Sequence, residues 1–158
     1  MRASNQWRVR QAVPEDRAFL EEIAPRLTIG IAPWIDPTRM LTTMRGYLLF
    51  DLEKMEDDST VFIAVSEDDQ PVGVATVNSN FHFTDERQAY LGELAVREEV
   101  EGQGVASALL EAVELWARRR GLPWIALETG SRNTRARDFY ARHGYEEESV
   151  RLVKPLSE

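Results

Sequence analysis

Two glycines one residue apart, in Glu101-Gly-Gln-Gly-Val-Ala-Ser107, stand directly before an apolar stretch with helical period. Glycine lets backbone approach a ligand closely. A helix that begins here leaves its first N–H groups unpaired at the positive end of its dipole. Together these make an anion site, suited to a phosphate or diphosphate. Taken alone, the run also fits a plain tight turn. No Gly-Lys-Ser/Thr follows, which excludes a Walker A loop. A dinucleotide fingerprint fails too, because the third glycine is absent and the run does not follow the first strand.

Composition removes other chemistries. There is no cysteine, so disulfides, thiolate catalysis and cysteine-ligated zinc are excluded. Two histidines, His82 and His143, are too few for a histidine-rich metal site, and no metal is expected. Nineteen cationic against 27 anionic side chains give a net charge of −8, which argues against nucleic-acid binding. An acidic surface attracts cationic amines, and it equally keeps a protein soluble. No stretch approaches the roughly 18 apolar residues of a membrane span. Met1 to Arg8 lacks the apolar core of a signal peptide, so a cytoplasmic chain is expected, with no membrane partner.

The elements that must position the glycine turn follow from periodicity. At 158 residues, one domain over 1–158 is expected. Trp7 to Val13 alternates as an opening strand. Pro14-Glu15-Asp16 starts a helix with Ala18, Phe19, Ile23 and Leu27 on its apolar stripe. Residues 28–36 form a loop broken by Gly30 and Pro33. Asp36-Pro37 opens a second helix carrying Met40, Leu41, Met44, Leu48 and Leu52 and reaching about Met55. Thr60–Val65 and Val72–Val77 form a hairpin, in which Gly73 marks a bulge or a close backbone approach. Residues 78–87 are a polar connection or strand extension, and Tyr90–Val96 is the next strand. Gln103–Arg120 is a helix ended by Gly121. Pro123–Thr129 is a strand, Asn133–His143 a helix closed by Gly144, and Tyr145–Val153 a last strand. The order strand, two helices, three strands, helix, strand, helix, strand implies an α/β (α+β) domain with one mixed sheet flanked by helices.

Two runs carry a resemblance. Leu91-Gly-Glu-Leu-Ala-Val96, followed by Arg97 to Leu110, resembles the acetyl-CoA motif of the GNAT superfamily of N-acetyltransferases, whose core reads Arg/Gln-x-x-Gly-x-Gly/Ala. Asn133-Thr-Arg-Ala-Arg-Asp-Phe-Tyr-Ala-Arg-His-Gly-Tyr145 is similar to that family's Asn-x-x-Ala-x-x-Phe/Leu-Tyr-x-x-x-Gly-Phe/Tyr helix. The likeness covers about residues 6–153, and the element order agrees, with a sheet that is mostly antiparallel. One position departs: Glu101 stands where the family usually has Arg or Gln, with Arg97, Arg132, Arg135 and Arg137 as cations that could compensate.

The resemblance implies acetyl-CoA as cosubstrate and a primary amine, on a small molecule or a peptide, as acceptor. With no cysteine for a covalent relay, the amine would attack the thioester directly. The turn Gly102, Gln103, Gly104, Val105, Ala106 and Ser107 would hold the diphosphate. The strand Leu94, Ala95 and Val96 would pair with the pantetheine arm, splayed from the strand near Glu128 and Thr129. Asn133 would bond the arm, with Ala136 and Phe139 packed along it. Tyr140 would protonate the leaving thiolate. Glu93, beside the thioester, is the first candidate for the base; Glu128 and a water relay are the others. The alternative is a catalytically weak CoA-binding sensor, which Glu101 favours. The family often dimerises, so a homodimer stays open.

Remaining residues get structural readings. Trp7, Trp116 and Trp124 are expected to pack in or beside the core, and the histidines to sit at the surface or in caps. Arg118-Arg119-Arg120 suits a helix C-terminus. Ile29, Ile31, Pro33 and Trp34 could wall the acceptor or simply anchor their loop on the core.

Overall fold

The computed structural model describes residues 6–156. The ends of the expected 1–158 unit, and most of the segment Met1 to Arg8 read as lacking a signal peptide, lie outside the described residues. The elements are β1 (Arg8–Gln11), α1 (Arg17–Ile23), α2 (Pro37–Glu53), β2 (Ser59–Val65), β3 (Pro71–Phe81), β4 (Arg87–Val96), α3 (Val105–Arg119), β5 (Ile125–Leu127) and α4 (Thr134–Arg142). Short 3-10 turns occupy Pro14–Asp16, Ala24–Thr28 and Glu98–Val100.

The five strands lie in chain order across one sheet. All neighbours are antiparallel except β4 and β5, which run parallel. Each face of the sheet buries its own core. On one face Leu109, Leu110, Val113 and Trp116 of α3 pack on Ala75, Val77 and Leu91, and Phe139 and Tyr140 of α4 join them. On the other, Phe19, Leu20 and Ile23 of α1 and Leu48 of α2 pack on Val61, Ile63, Val65 and Val74. Residues of β2 and β3 therefore alternate between two buried layers, which is why they read as nearly continuous apolar runs.

Local signals account for most boundaries. The Asp36 side chain accepts the Arg39 N–H at 2.8 Å and caps α2, with Pro37 in its first turn. Both expectations for Gly73 hold. The register shifts opposite Ala64 and Val65, and an added Cβ would lie 2.9 Å from Val105 Cγ1. Helix α3 therefore rests directly on β3 at this glycine, which fixes where its N-terminus meets the end of β4.

Two expectations are corrected. Ala18 is exposed, and Leu20 takes its place on the α1 stripe. Tyr145–Val153 forms no strand: the chain after α4 is irregular to residue 156, and Val150 and Leu152 stand 74% and 88% exposed. The run Glu146-Glu147-Glu148 concentrates like charge where pairing would have to start, and β5 offers only three residues as a template.

Candidate active site

The glycine turn lies where β4 delivers the chain to α3. Gly102 and Gly104 both have positive φ, 74° and 89°, a region that side chains with a Cβ rarely occupy. Gly104 caps α3, so Val105, Ala106 and Ser107 hold the first-turn N–H groups. A Cβ at either glycine would meet nothing within 4 Å, so the turn is open on its outer side. The Trp7 indole donates to the Gln103 carbonyl at 2.8 Å and pins the loop to β1. At the other end of the α3 first turn, the Ser107 hydroxyl lies 3.1 Å from His143 Nε2. His143 Nδ1 faces the Phe139 carbonyl at 2.8 Å, which makes it the donor and leaves Nε2 to accept from Ser107. His143 thus caps α4 and ties it to α3.

Glu101 is not a bare negative charge at this loop. Its two carboxylate oxygens pair with Arg26, from the 3-10 turn after α1, and with Arg135 of α4. Arg26 also donates through Nε to the Val96 carbonyl at 3.2 Å. The two guanidinium groups answer the Glu101 charge, while Glu98 and Glu99 stand close by in the turn that precedes the glycines. Of the four arginines named from the sequence, only Arg135 reaches Glu101. Arg97 instead bonds the Pro71 carbonyl and Glu22, Arg132 lies over the Trp34 ring, and Arg137 pairs with Glu147. Arg26 went unread because it lies 75 positions earlier, on an element brought over by the fold.

Strand β4 parts from β5 as it nears the turn. Pairing ends at Leu91 with Leu127, so residues 92–96 have no strand beside them on that edge. The parting coincides with a bulge. Ala75 pairs with Leu94 and Val77 with Leu91, so Thr76 alone faces both Gly92 and Glu93. The extra residue increases local twist and re-aims side chains. Gly92 is required here, since a Cβ would come 2.7 Å from Thr76 Oγ1. That hydroxyl accepts the Glu93 N–H at 3.0 Å and donates to Glu93 Oε2 at 2.8 Å. The Glu93 carboxyl is therefore held by its own bulge.

Glu93 lines a cavity of about 280 Å³ with Tyr47 and Asp51 of α2, Asn78 of β3, and Tyr90 and Gly92 of β4. Burial is the main reason that its pKa rises to about 7, and the neighbouring Asp51 adds to the rise. Burial likewise raises Asp51, and raises the Tyr90 phenol together with Glu128 and Glu93. A carboxyl that changes charge near neutrality can both take and return a proton. Glu128 is exposed and does not line this cavity.

Across the groove stands α4. The Asn133 Oδ1 accepts the Ala136 N–H at 3.1 Å and caps the helix. Gly30 (φ 76°) packs on Asn133 so closely that a Cβ would lie 2.8 Å from its Cα. The loop between α1 and α2 is thus anchored on the loop after β5, and Trp34 is 45% exposed outside the Glu93 cavity. Tyr140 is half-buried edge-on against Phe139 and Tyr145, at 5.2 and 5.5 Å between ring centres. Burial holds its phenol protonated well above the usual tyrosine range.

Asp51, Tyr47, Thr76, Asn78 and Tyr90 were not singled out by sequence reasoning. Asp51 sits between Leu48 and Leu52 on a helix whose apolar stripe was read correctly, and nothing local distinguishes it from a solvated helical carboxylate. Trp7 and Trp116 are buried, and Trp124 is 36% exposed, as expected. No described helix is long and apolar enough to cross a membrane.

The profile of the Acetyltransferase (GNAT) family matches residues 19–145. An aminoglycoside N(6')-acetyltransferase type 1 of Stenotrophomonas maltophilia is 29% identical over 144 residues, covering 88% of this chain and 86% of that protein. An uncharacterized N-acetyltransferase of Bacillus subtilis, YhfO, is 25% identical over 112 residues, covering 70% of this chain and 75% of that protein. The solved structure of AAC(6')-Iy in complex with a CoA-based bisubstrate analogue superposes with a TM-score of 0.71 at 19% identity, over 96% of this chain and 99% of that one.

Proposed function

The chain belongs to the acetyltransferase (GNAT) family and is an acetyl-CoA-dependent N-acetyltransferase, and on that premise we propose that a primary amine of a small molecule or peptide attacks the thioester directly, with Glu93 as base and Tyr140 as acid. The observation that carries the reading is the coincidence of three features along β4. The strand opens from β5, bulges at Gly92–Glu93, and ends at the glycine turn.

In this reading the diphosphate takes the N–H groups from Gly102 to Ser107, with the Arg26 and Arg135 guanidinium groups nearby on Glu101. The pantetheine arm lies along Leu94, Ala95 and Val96 and fills the missing strand. Asn133 bonds it through its amide NH₂, its Oδ1 being used by the cap. Ala136 and Phe139 pack on its far side. The thioester then reaches the bulge, where Glu93 takes a proton from the incoming amine. Strand N–H groups hold the developing oxyanion. As the C–S bond breaks, Tyr140 protonates the thiolate. A phenol held protonated by burial is in the form that can donate.

The sensor alternative drew on Glu101, whose charge is now answered by two arginines. The test is release of free thiol from acetyl-CoA with an aminoglycoside, a polyamine, an amino acid and a peptide N-terminus in turn. Turnover above background with at least one amine is expected. Tight acetyl-CoA binding in calorimetry with no turnover on any of them would favour the sensor instead.

A further inference from the structure

We propose that Asp51 of α2 and Glu93 of the β4 bulge form one proton-sharing carboxyl pair, in which Asp51 is the positioning residue that lets Glu93 take a proton from an acceptor arriving as an ammonium ion. The proposal rests on the reading of Glu93 as base. It adds a second group, carried by a different element and assigned by no motif.

The geometry has three parts. First, the two carboxyls share one cavity, Asp51 from α2 and Glu93 from β4, and each is near enough to shift the other's proton affinity. Second, Thr76 fixes the pair. Its Oγ accepts the Glu93 N–H at 3.0 Å and donates to the Glu93 carboxyl at 2.8 Å, which orients Glu93 in the cavity that Asp51 also lines. Third, the pair faces a cavity of about 280 Å³ whose other walls are Tyr47, Asn78, Tyr90 and Gly92, with no cationic side chain among them. The ionisable groups facing it are Tyr47 and Asp51 from α2 and Tyr90 and Glu93 from β4, with Glu128 beyond Tyr90. Among the described residues no cationic side chain lines the cavity, so two ionised carboxyls within it repel and one proton is retained between them.

A pair that holds one proton still carries one negative charge. It draws in an ammonium ion, and the Tyr47 and Tyr90 rings are surfaces on which a cation rests favourably. The chemistry then balances. One ammonium N–H bond breaks, its electrons stay on nitrogen, and, with the shared proton held on Asp51, the proton goes to the Glu93 carboxylate, which makes the pair neutral. The nitrogen lone pair forms the bond to the thioester carbon, and the C–S bond breaks. The thiolate takes the Tyr140 proton, and the extra proton on nitrogen restores the phenol. The pair returns its proton to water.

The titration at the centre of the experiment needs no acceptor. Protein labelled with ¹³C at the glutamate side-chain carboxyl is titrated by NMR as wild type and as Asp51→Asn, with Glu93→Gln assigning the signal. Glu93 is expected to titrate near 7 in the wild type. In Asp51→Asn its midpoint should fall by about one pH unit, because the like charge is gone while the burial remains. Asp51→Ser, which removes the carboxyl with less volume, should move it the same way, and Asp51→Glu should restore it. An Asp51→Asn midpoint equal to wild type overturns the pair. Thiol release separates this from the parent reading. Full turnover in Glu93→Gln overturns Glu93 as base and the pair with it, whereas lost turnover in Glu93→Gln with an unmoved midpoint in Asp51→Asn overturns the pair alone.

Discussion

The two ends of the β4 groove are built by opposite means. At the turn end, one contiguous run supplies the site: Gly102 and Gly104 set the backbone, and the first turn of α3 supplies donors that no side chain needs to provide. At the bulge end, nothing contiguous suffices. Glu93 comes from β4, Thr76 from β3 and Asp51 from α2, and the cavity exists only once α2 lies over the sheet. In the proposed reading the first arrangement grips a fixed anion with rigid groups. The second holds ionisable groups close enough to change one another's proton affinity. Binding and chemistry should therefore separate under mutation.

The largest expected effect is on turnover. Glu93→Gln keeps the shape of the bulge and the Thr76 contact but cannot take a proton, so thiol release should fall by about 10²–10⁴-fold. An amine-dependent rate within twofold of wild type would break the comparison at its bulge end. Tyr140→Phe should lower turnover by about 10–100-fold, with acetyl-CoA affinity nearly unchanged. An equal loss in affinity would make Tyr140 a packing residue instead.

Stability sharpens the contrast. Folding raises the Glu93 pKa from 4.5 to about 7, so its charged form is disfavoured in the folded state. That cost is absent below pH 4.5, grows between the two values and is complete above 7. Urea unfolding of Glu93→Gln should therefore match wild type near pH 4. At pH 8 it should show a gain of about 2 kcal/mol, a screened value for a half-buried group. A gain that is the same at both pH values would contradict the burial argument. Glu101→Gln should have the smallest effect. It removes a negative charge between Arg26 and Arg135 and should leave acetyl-CoA binding unchanged or about 2–5-fold tighter. A large loss would mean that the carboxylate is needed to hold the arginines in place.

What the sequence could reveal follows the same division. The glycine turn, the α4 helix with its Asn133 cap and the order of elements through α4 all rest on local spacing, and they were legible. Glu93 was legible because it lies within the matched strand. Asp51 and Arg26 were not, since each acts across the fold and looks locally like an ordinary helical charge. The last strand was misread for a related reason. The composition of residues 145–153 allows a strand, but strand formation depends on an edge to pair with, and β5 is too short to offer one.

The division of labour is tested most directly by calorimetric titration of acetyl-CoA into wild type, Glu93→Gln and Gly104→Val. A Cβ at Gly104 meets no protein atom, so the fold should tolerate it. The valine nevertheless has to adopt a φ near 89°, at a cost of about 1–3 kcal/mol, and projects its side chain from the turn. The expected result is an unchanged Kd for Glu93→Gln and one at least about 10-fold weaker for Gly104→Val. Equal affinities for wild type and Gly104→Val, or a Glu93→Gln loss as large as that of Gly104→Val, would contradict the assignment of binding to the turn and chemistry to the bulge.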